Sequence, residues 1–144
     1  MDREQSAASA VLNAPGRVFS VVEANRAIVL IRKITQEIVS QYREFQELRR
    51  EFEELSLSLV SRERIETVRA AIERRLNSLN RLRDELADIG VVLKDYETGL
   101  IDFPAMHQGR RIYLCWRHGE GQIAFWHDTD SGFAGRKPIA PDFS

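Results

Sequence analysis

At 144 residues with 43% apolar content the chain suits one domain with one core, and 30% charged residues point to a long solvated helical surface. The formal charge is −1, and thirteen Lys/Arg balance thirteen Asp/Glu between Ser20 and Ile89, which leaves no basic stripe for a phosphate backbone and excludes nucleic acid as principal partner. One cysteine rules out an internal disulfide, no signal-peptide pattern opens the chain and no apolar run is long enough to span a bilayer, so the expectation is a cytoplasmic protein with no membrane partner.

Residues 1–18 are polar, Ala/Ser-rich and broken by Pro15-Gly16, which predicts a mobile leader ahead of a single domain over 19–144. The domain opens with Ser20-Val21-Val22-Glu23, an S-x-x-E capping box whose serine and glutamate satisfy each other's backbone amides. No Gly, Pro or Trp interrupts Ser20 to Ile89, so the whole stretch reads as helix. Ile31, Ile34, Ile38, Phe45, Leu48, Phe52 and Leu55 follow a 3-4 spacing, and Ile65, Val68, Ile72, Leu79, Leu82, Leu86 and Ile89 repeat it, the pattern of a coiled-coil-like seam. The two runs mirror each other about Ser58, which predicts an antiparallel hairpin over 19–90 with its turn inside Ser56–Ser61. Gln41 would face Arg75 as a polar register pin. Gly90 supplies the left-handed stop. Val39, Tyr42, Leu57, Leu59, Val60 and Leu76 fall off the seam, and leftover apolar surface of this kind predicts a homodimer through the hairpin.

Beyond Gly90 the period becomes alternating, so residues 91–144 read as a β segment and a C-terminal arm. Val91–Lys94 and Leu100–Phe103 are predicted strands, the second ended by Pro104. Arg110–Arg117 and Gln122–His127 form a hairpin around His118-Gly119-Glu120-Gly121. With Trp116 opposite Ile123, the core face is Ile112, Leu114, Trp116, Ile123 and Phe125. Tyr113, Cys115, Arg117, Ala124 and Trp126 take the other face. The core face would pack on the open end of the helices near Val21–Ile28, and Gly132 to Pro138 would be an irregular extended tail.

Several strings carry a family resemblance. They are Phe19-Ser20-Val21-Val22-Glu23-Ala24-Asn25, Leu93-Lys94-Asp95 and Gly99-Leu100-Ile101-Asp102-Phe103-Pro104-Ala105, then Tyr113-Leu114-Cys115-Trp116-Arg117-x-Gly119-Glu120, Trp126-His127 and Gly132-Phe133-x-Gly135-Arg136-x-Pro138. Together they resemble DUF2203, an uncharacterised bacterial domain-of-unknown-function family. The resemblance implies a small bacterial cytosolic protein and brings no catalytic residues.

Both tryptophans, all three histidines and the cysteine lie in this last third, so any site belongs there. Cys115, His118 and His127 are the candidate metal ligands, with Glu120 nearby. They lack recognisable zinc spacing, however, and a lone strand cysteine is more often a small buried hydrophobe. Gly132-x-x-Gly135-Arg136-Lys137 with Arg117 could hold a small anion, or could be an arm whose Phe133 fills an apolar groove while Arg136 pairs with Asp102 or Glu120. Asp95, Asp102, Glu120, His127 and Asp128 could serve as acid and base if they converge. Arg117 between Trp116 and Trp126 allows cation–π stacking at an interface.

The reading that results is an α+β protein: a long antiparallel helical hairpin carrying a small C-terminal antiparallel sheet. Its expected role is a non-catalytic binding or interaction module. The working surface is Tyr113, Trp116, Arg117, Glu120, Trp126, His127 and Arg136, with a protein or a small anionic ligand as partner. No cofactor, metal or catalytic residue is assigned. The alternative is a small metal-dependent or acid–base enzyme using Cys115, His127 and nearby carboxylates.

Overall fold

The computed structural model describes residues 17–58 and 61–143. Most of the expected leader, and Leu59 and Val60 at the hairpin turn, lie outside the described residues. Helix α1 runs Val21–Ser56 and helix α2 Arg62–Ile89. The capping box forms as the sequence predicts: the Glu23 amide donates to Ser20 Oγ at 3.0 Å and the Ser20 amide to Glu23 Oε1 at 2.9 Å. Ser61 accepts the Arg64 amide at the start of α2, and Gly90 closes that helix at φ 106°.

The 36 residues of α1 span about 54 Å at 1.5 Å per residue, far more than the sheet covers. Its first half is buried through Ala24, Ile28, Ile31, Ile34 and Ile38. Further along, the helices meet mainly each other, with Glu51–Arg64 at 2.8 Å and Glu44–Arg75 at 3.2 Å across the two arms. The expected Gln41–Arg75 pin is therefore corrected. Arg75 reaches an exposed carboxylate, a stronger partner than a neutral amide, and Gln41 Nε2 donates to Glu37 within its own helix. Tyr42, expected off the seam, stacks on Tyr96 at 5.6 Å, while Leu57 and Leu76 stay exposed.

Five strands follow in chain order as an antiparallel meander: β1 Val92–Asp95, β2 Leu100–His107, β3 Arg110–Arg117, β4 Phe125–Asp128 and β5 Lys137–Pro138. Ile101, Phe103, Ala105, Ile112, Leu114, Trp116 and Trp126 join the helical residues in one core. This inner face lies along α1 to Ile38, well beyond the open end of the hairpin. Trp116 is fully buried and its indole N–H donates to the Gly121 carbonyl at 2.8 Å, the partner a buried indole requires.

Three strand expectations are corrected. Pro104 does not end β2, because it lies past the stretch paired with β1, where its missing N–H costs nothing, and its carbonyl accepts the Phe19 amide at 2.7 Å. The strand runs on to His107, where Gln108 (φ 52°) and Gly109 (φ 80°) make a two-residue turn of the kind that suits hairpin twist. The β3–β4 register is one residue off the expected one: Leu114 pairs with Trp126 and Cys115 with Phe125. Trp126 therefore joins the core face and Phe125 moves to the outer face. The tail is not wholly irregular, since Lys137–Pro138 pairs with β4.

Gly99 sits close against both His118 and the helix residues Val39 and Thr35. It is buried at φ 69°, and a Cβ there would come 2.8 Å from His118 Cβ and 3.2 Å from Val39 Cγ2. Gly99→Ala is expected to lower the unfolding free energy by about 1–3 kcal/mol from backbone strain alone, with the clash adding to it. Urea denaturation checks this, and an unchanged midpoint would contradict the close approach.

Candidate functional site

The pleat that buries Trp116 and Trp126 turns Asp102, Tyr113, Cys115, Arg117, Phe125 and His127 to the outer face, away from the helices. Asp102 is directly opposite Cys115, and Cys115 opposite Phe125, while His127 is opposite Tyr113 one step along. Asp102, Cys115 and His127 are all buried, at 2%, 1% and 2% exposure, although the face opposite theirs is the one that joins the core with the two long helices. One donor atom from each lies within 4.8 Å of the others.

His127 is held from both sides. Nδ1 lies 2.7 Å from the Asp128 carbonyl, which only accepts, so Nδ1 carries a hydrogen. Nε2 lies 3.0 Å from Asp102 Oδ1, a contact that requires one proton between imidazole and carboxyl. Burial pushes the Asp102 carboxyl above its ordinary range, opposed by the His127 hydrogen bond. Burial also pushes the Cys115 thiol up, opposed by the neighbouring Arg136.

The cover over Cys115 is the C-terminal arm. Arg136 makes a two-point contact with Glu120, Nη2–Oε2 at 2.6 Å and Nη1–Oε1 at 3.2 Å, and Nη1 lies 3.9 Å from Cys115 Sγ. Its guanidinium packs over Phe125 at 3.9 Å and Phe133 at 4.1 Å. Glu120 also accepts the Arg117 amide at 2.9 Å. Although burial opposes it, these donors hold the Glu120 carboxyl below its ordinary range. With its charge matched by Glu120, Arg136 acts here as a fastener of the arm.

The expected surface is thus divided. Tyr113, Arg117, Glu120, His127 and Arg136 share the outer face, whereas Trp116 and Trp126 are core residues. Arg117 does not lie between the two tryptophans; it packs over Phe133 at 4.9 Å, and the cations over Trp126 are Lys137 and Arg110. His118 is not beside Cys115 but on the helix side, with Nδ1 2.9 Å from Thr35 Oγ1 and Nε2 3.0 Å from Gln36 Oε1. Asp128 pairs with Arg110 and Lys137, and Asp95 caps its own turn through Thr98. The residue that completes the cluster is Asp102, which the sequence offered only as one of several loose carboxylates.

Helix hairpin, meander sheet and an arm fastened over a buried polar cluster define an α+β domain. The chain belongs to the DUF2203 family of uncharacterized conserved proteins, whose model matches residues 17–139. No curated protein and no solved structure matches it. Among the described residues no helix is long and apolar enough to cross a membrane.

His118 gives a pH prediction. Burial, then the Arg32 charge, hold its pKa below the ordinary 6.5, so folding favours the neutral ring. Its contribution is complete above about pH 6.5 and is lost as the pH falls through that value toward the folded-state pKa. Between about pH 7 and pH 5 the Tm of the wild type should therefore fall more steeply than that of His118→Gln. Parallel profiles would contradict the assignment.

Proposed function

We propose that this protein is a cytoplasmic ligand-binding module whose site is the outer face of the sheet, centred on Asp102, Cys115 and His127 and covered by the arm. The observation that carries this reading is the burial of three ionisable groups where the core does not need them. Burying charge costs several kcal/mol per group unless something compensates it, and the inner face already supplies an unbroken apolar core. Ionisable clusters with shifted pKa values concentrate at functional sites. Tyr113, Arg117, Glu120 and Arg136 form the polar margin of this site.

Binding is favoured over nucleophilic catalysis by the orientation of His127. A cysteine nucleophile needs one ring nitrogen directed at sulfur as base and the other held by an orienting group. Here one nitrogen faces a backbone carbonyl and the other Asp102. The buried single thiol suits a reducing compartment. We further propose a homodimer through the hairpin, for which exposed Val22, Val29, Leu30, Leu57 and Leu76 supply apolar surface.

Native mass spectrometry of protein purified without chelator tests both statements. The expected spectrum shows two chains together, with added mass that disappears on denaturation and is missing from Cys115→Ala and His127→Ala. A mass equal to the bare chain in the wild type would overturn the ligand reading, and a monomer at tens of micromolar would overturn the dimer.

A further inference from the structure

We propose that Asp102, Cys115 and His127 together bind a divalent transition-metal ion, with zinc the best fit to the donor set. The inference deepens the reading of the outer face as a ligand site and rests on it. Three residues on three adjacent strands each present a different donor: a carboxylate oxygen, a sulfur and an imidazole nitrogen, all within 4.8 Å of one another. Neighbouring strands of one sheet hold them more rigidly than loops would.

The charges match. A thiolate, a carboxylate and a neutral imidazole sum to −2, which one dication neutralises, so the metal-bound cluster is as free of net charge as the protonated one and the ion replaces its protons without leaving a buried charge. Two protons leave for solvent on binding, one from the thiol and the one shared between His127 Nε2 and Asp102 Oδ1. Arg136 does not upset this balance, because Glu120 neutralises it while Nη1 remains 3.9 Å from Sγ, placed to support a thiolate.

The orientation of the ring matches as well. Metal-bound histidines almost always donate their second N–H to a carbonyl or carboxylate, which fixes the tautomer and aims the free nitrogen. His127 Nδ1 already donates to the Asp128 carbonyl, so loss of the proton shared with Asp102 frees Nε2 as the ligand atom within the cluster. Sulfur in the set argues against magnesium or calcium, which take oxygen ligands, and favours borderline ions such as zinc. Three protein ligands among the described residues leave one tetrahedral position for water or an incoming group.

Full-length protein stripped with chelator and then titrated with Co2+ tests this. Expected is saturation at one equivalent per chain, with a near-ultraviolet thiolate-to-cobalt band and visible bands of tetrahedral intensity, displaced by Zn2+. Cys115→Ser should abolish the near-ultraviolet band, and Asp102→Asn and His127→Gln should each weaken binding at least about tenfold. Zinc-edge X-ray absorption on the wild type needs no variant and should show one sulfur near about 2.3 Å with nitrogen and oxygen near about 2.0–2.2 Å. A wild type without the thiolate band, or a band that survives Cys115→Ser, overturns the metal assignment. If native mass spectrometry then shows an organic molecule lost in Cys115→Ala and His127→Ala, only the metal assignment falls. If it shows nothing bound, the ligand site falls with it.

Discussion

Pairing of Leu114 with Trp126 across β3 and β4 decides which side chains of β4 face the core and which face outward. Side chains on a strand alternate, so one register step would carry Trp126 out and His127 in. A tryptophan buries some 150–250 Å², worth about 4–6 kcal/mol at 25 cal/mol per Å², whereas His127 turned inward would meet an apolar core without Asp102 or the Asp128 carbonyl. The apolar core thus fixes the polar site: by claiming Trp116 and Trp126 it forces Cys115 and His127 to the other side. The helices contribute at one remove. Thr35 and Gln36 hold His118, and Asn25 accepts the Ile123 amide at 2.7 Å, so α1 anchors both ends of the β3–β4 loop.

On the outer face the Arg136–Glu120 contact has the corresponding role. Its two-point geometry, and the guanidinium packed over Phe125 and Phe133, fasten the arm beside the pairing of β5 with β4. Glu120 lies on the β3–β4 loop, so the register that places Cys115 also places the anchor of its cover. Of the two readings of the Arg/Gly segment, an anion nest or an arm whose Arg136 pairs with an acid, the pairing with Glu120 favours the arm, because that positive charge is already matched inside the chain.

Much of the architecture was legible. The 3-4 spacing, the S-x-x-E box and Gly90 specify two helices and their ends from local chemistry alone. The capping box is a reciprocal bond between residues three apart, which sequence displays directly. The extent of β2 was hidden by Pro104, since whether a proline is tolerated depends on which neighbour its N–H side would face. Gln108-Gly109 also lacks the asparagine or aspartate that usually marks a two-residue turn. The register was ambiguous because Phe125 and Trp126 are adjacent aromatics and either could fill the core. Cys115 and His127 could be suspected from residue type, but Asp102 joins them only by cross-strand pairing with Cys115. Spacing rules written for ligands close in sequence do not see a site assembled across a sheet.

On the proposed reading Asp102, Cys115 and His127 are kept for what they bind and not for what they hold together. Equilibrium denaturation of the metal-free Asp102→Leu/Cys115→Ala/His127→Leu variant against metal-free wild type tests this most directly. If the cluster is a site, apolar replacement of the whole set should leave stability unchanged or raise it by about 1–4 kcal/mol. A loss of several kcal/mol, with circular dichroism showing a disrupted sheet, would mean that the cluster is structural and not a binding site.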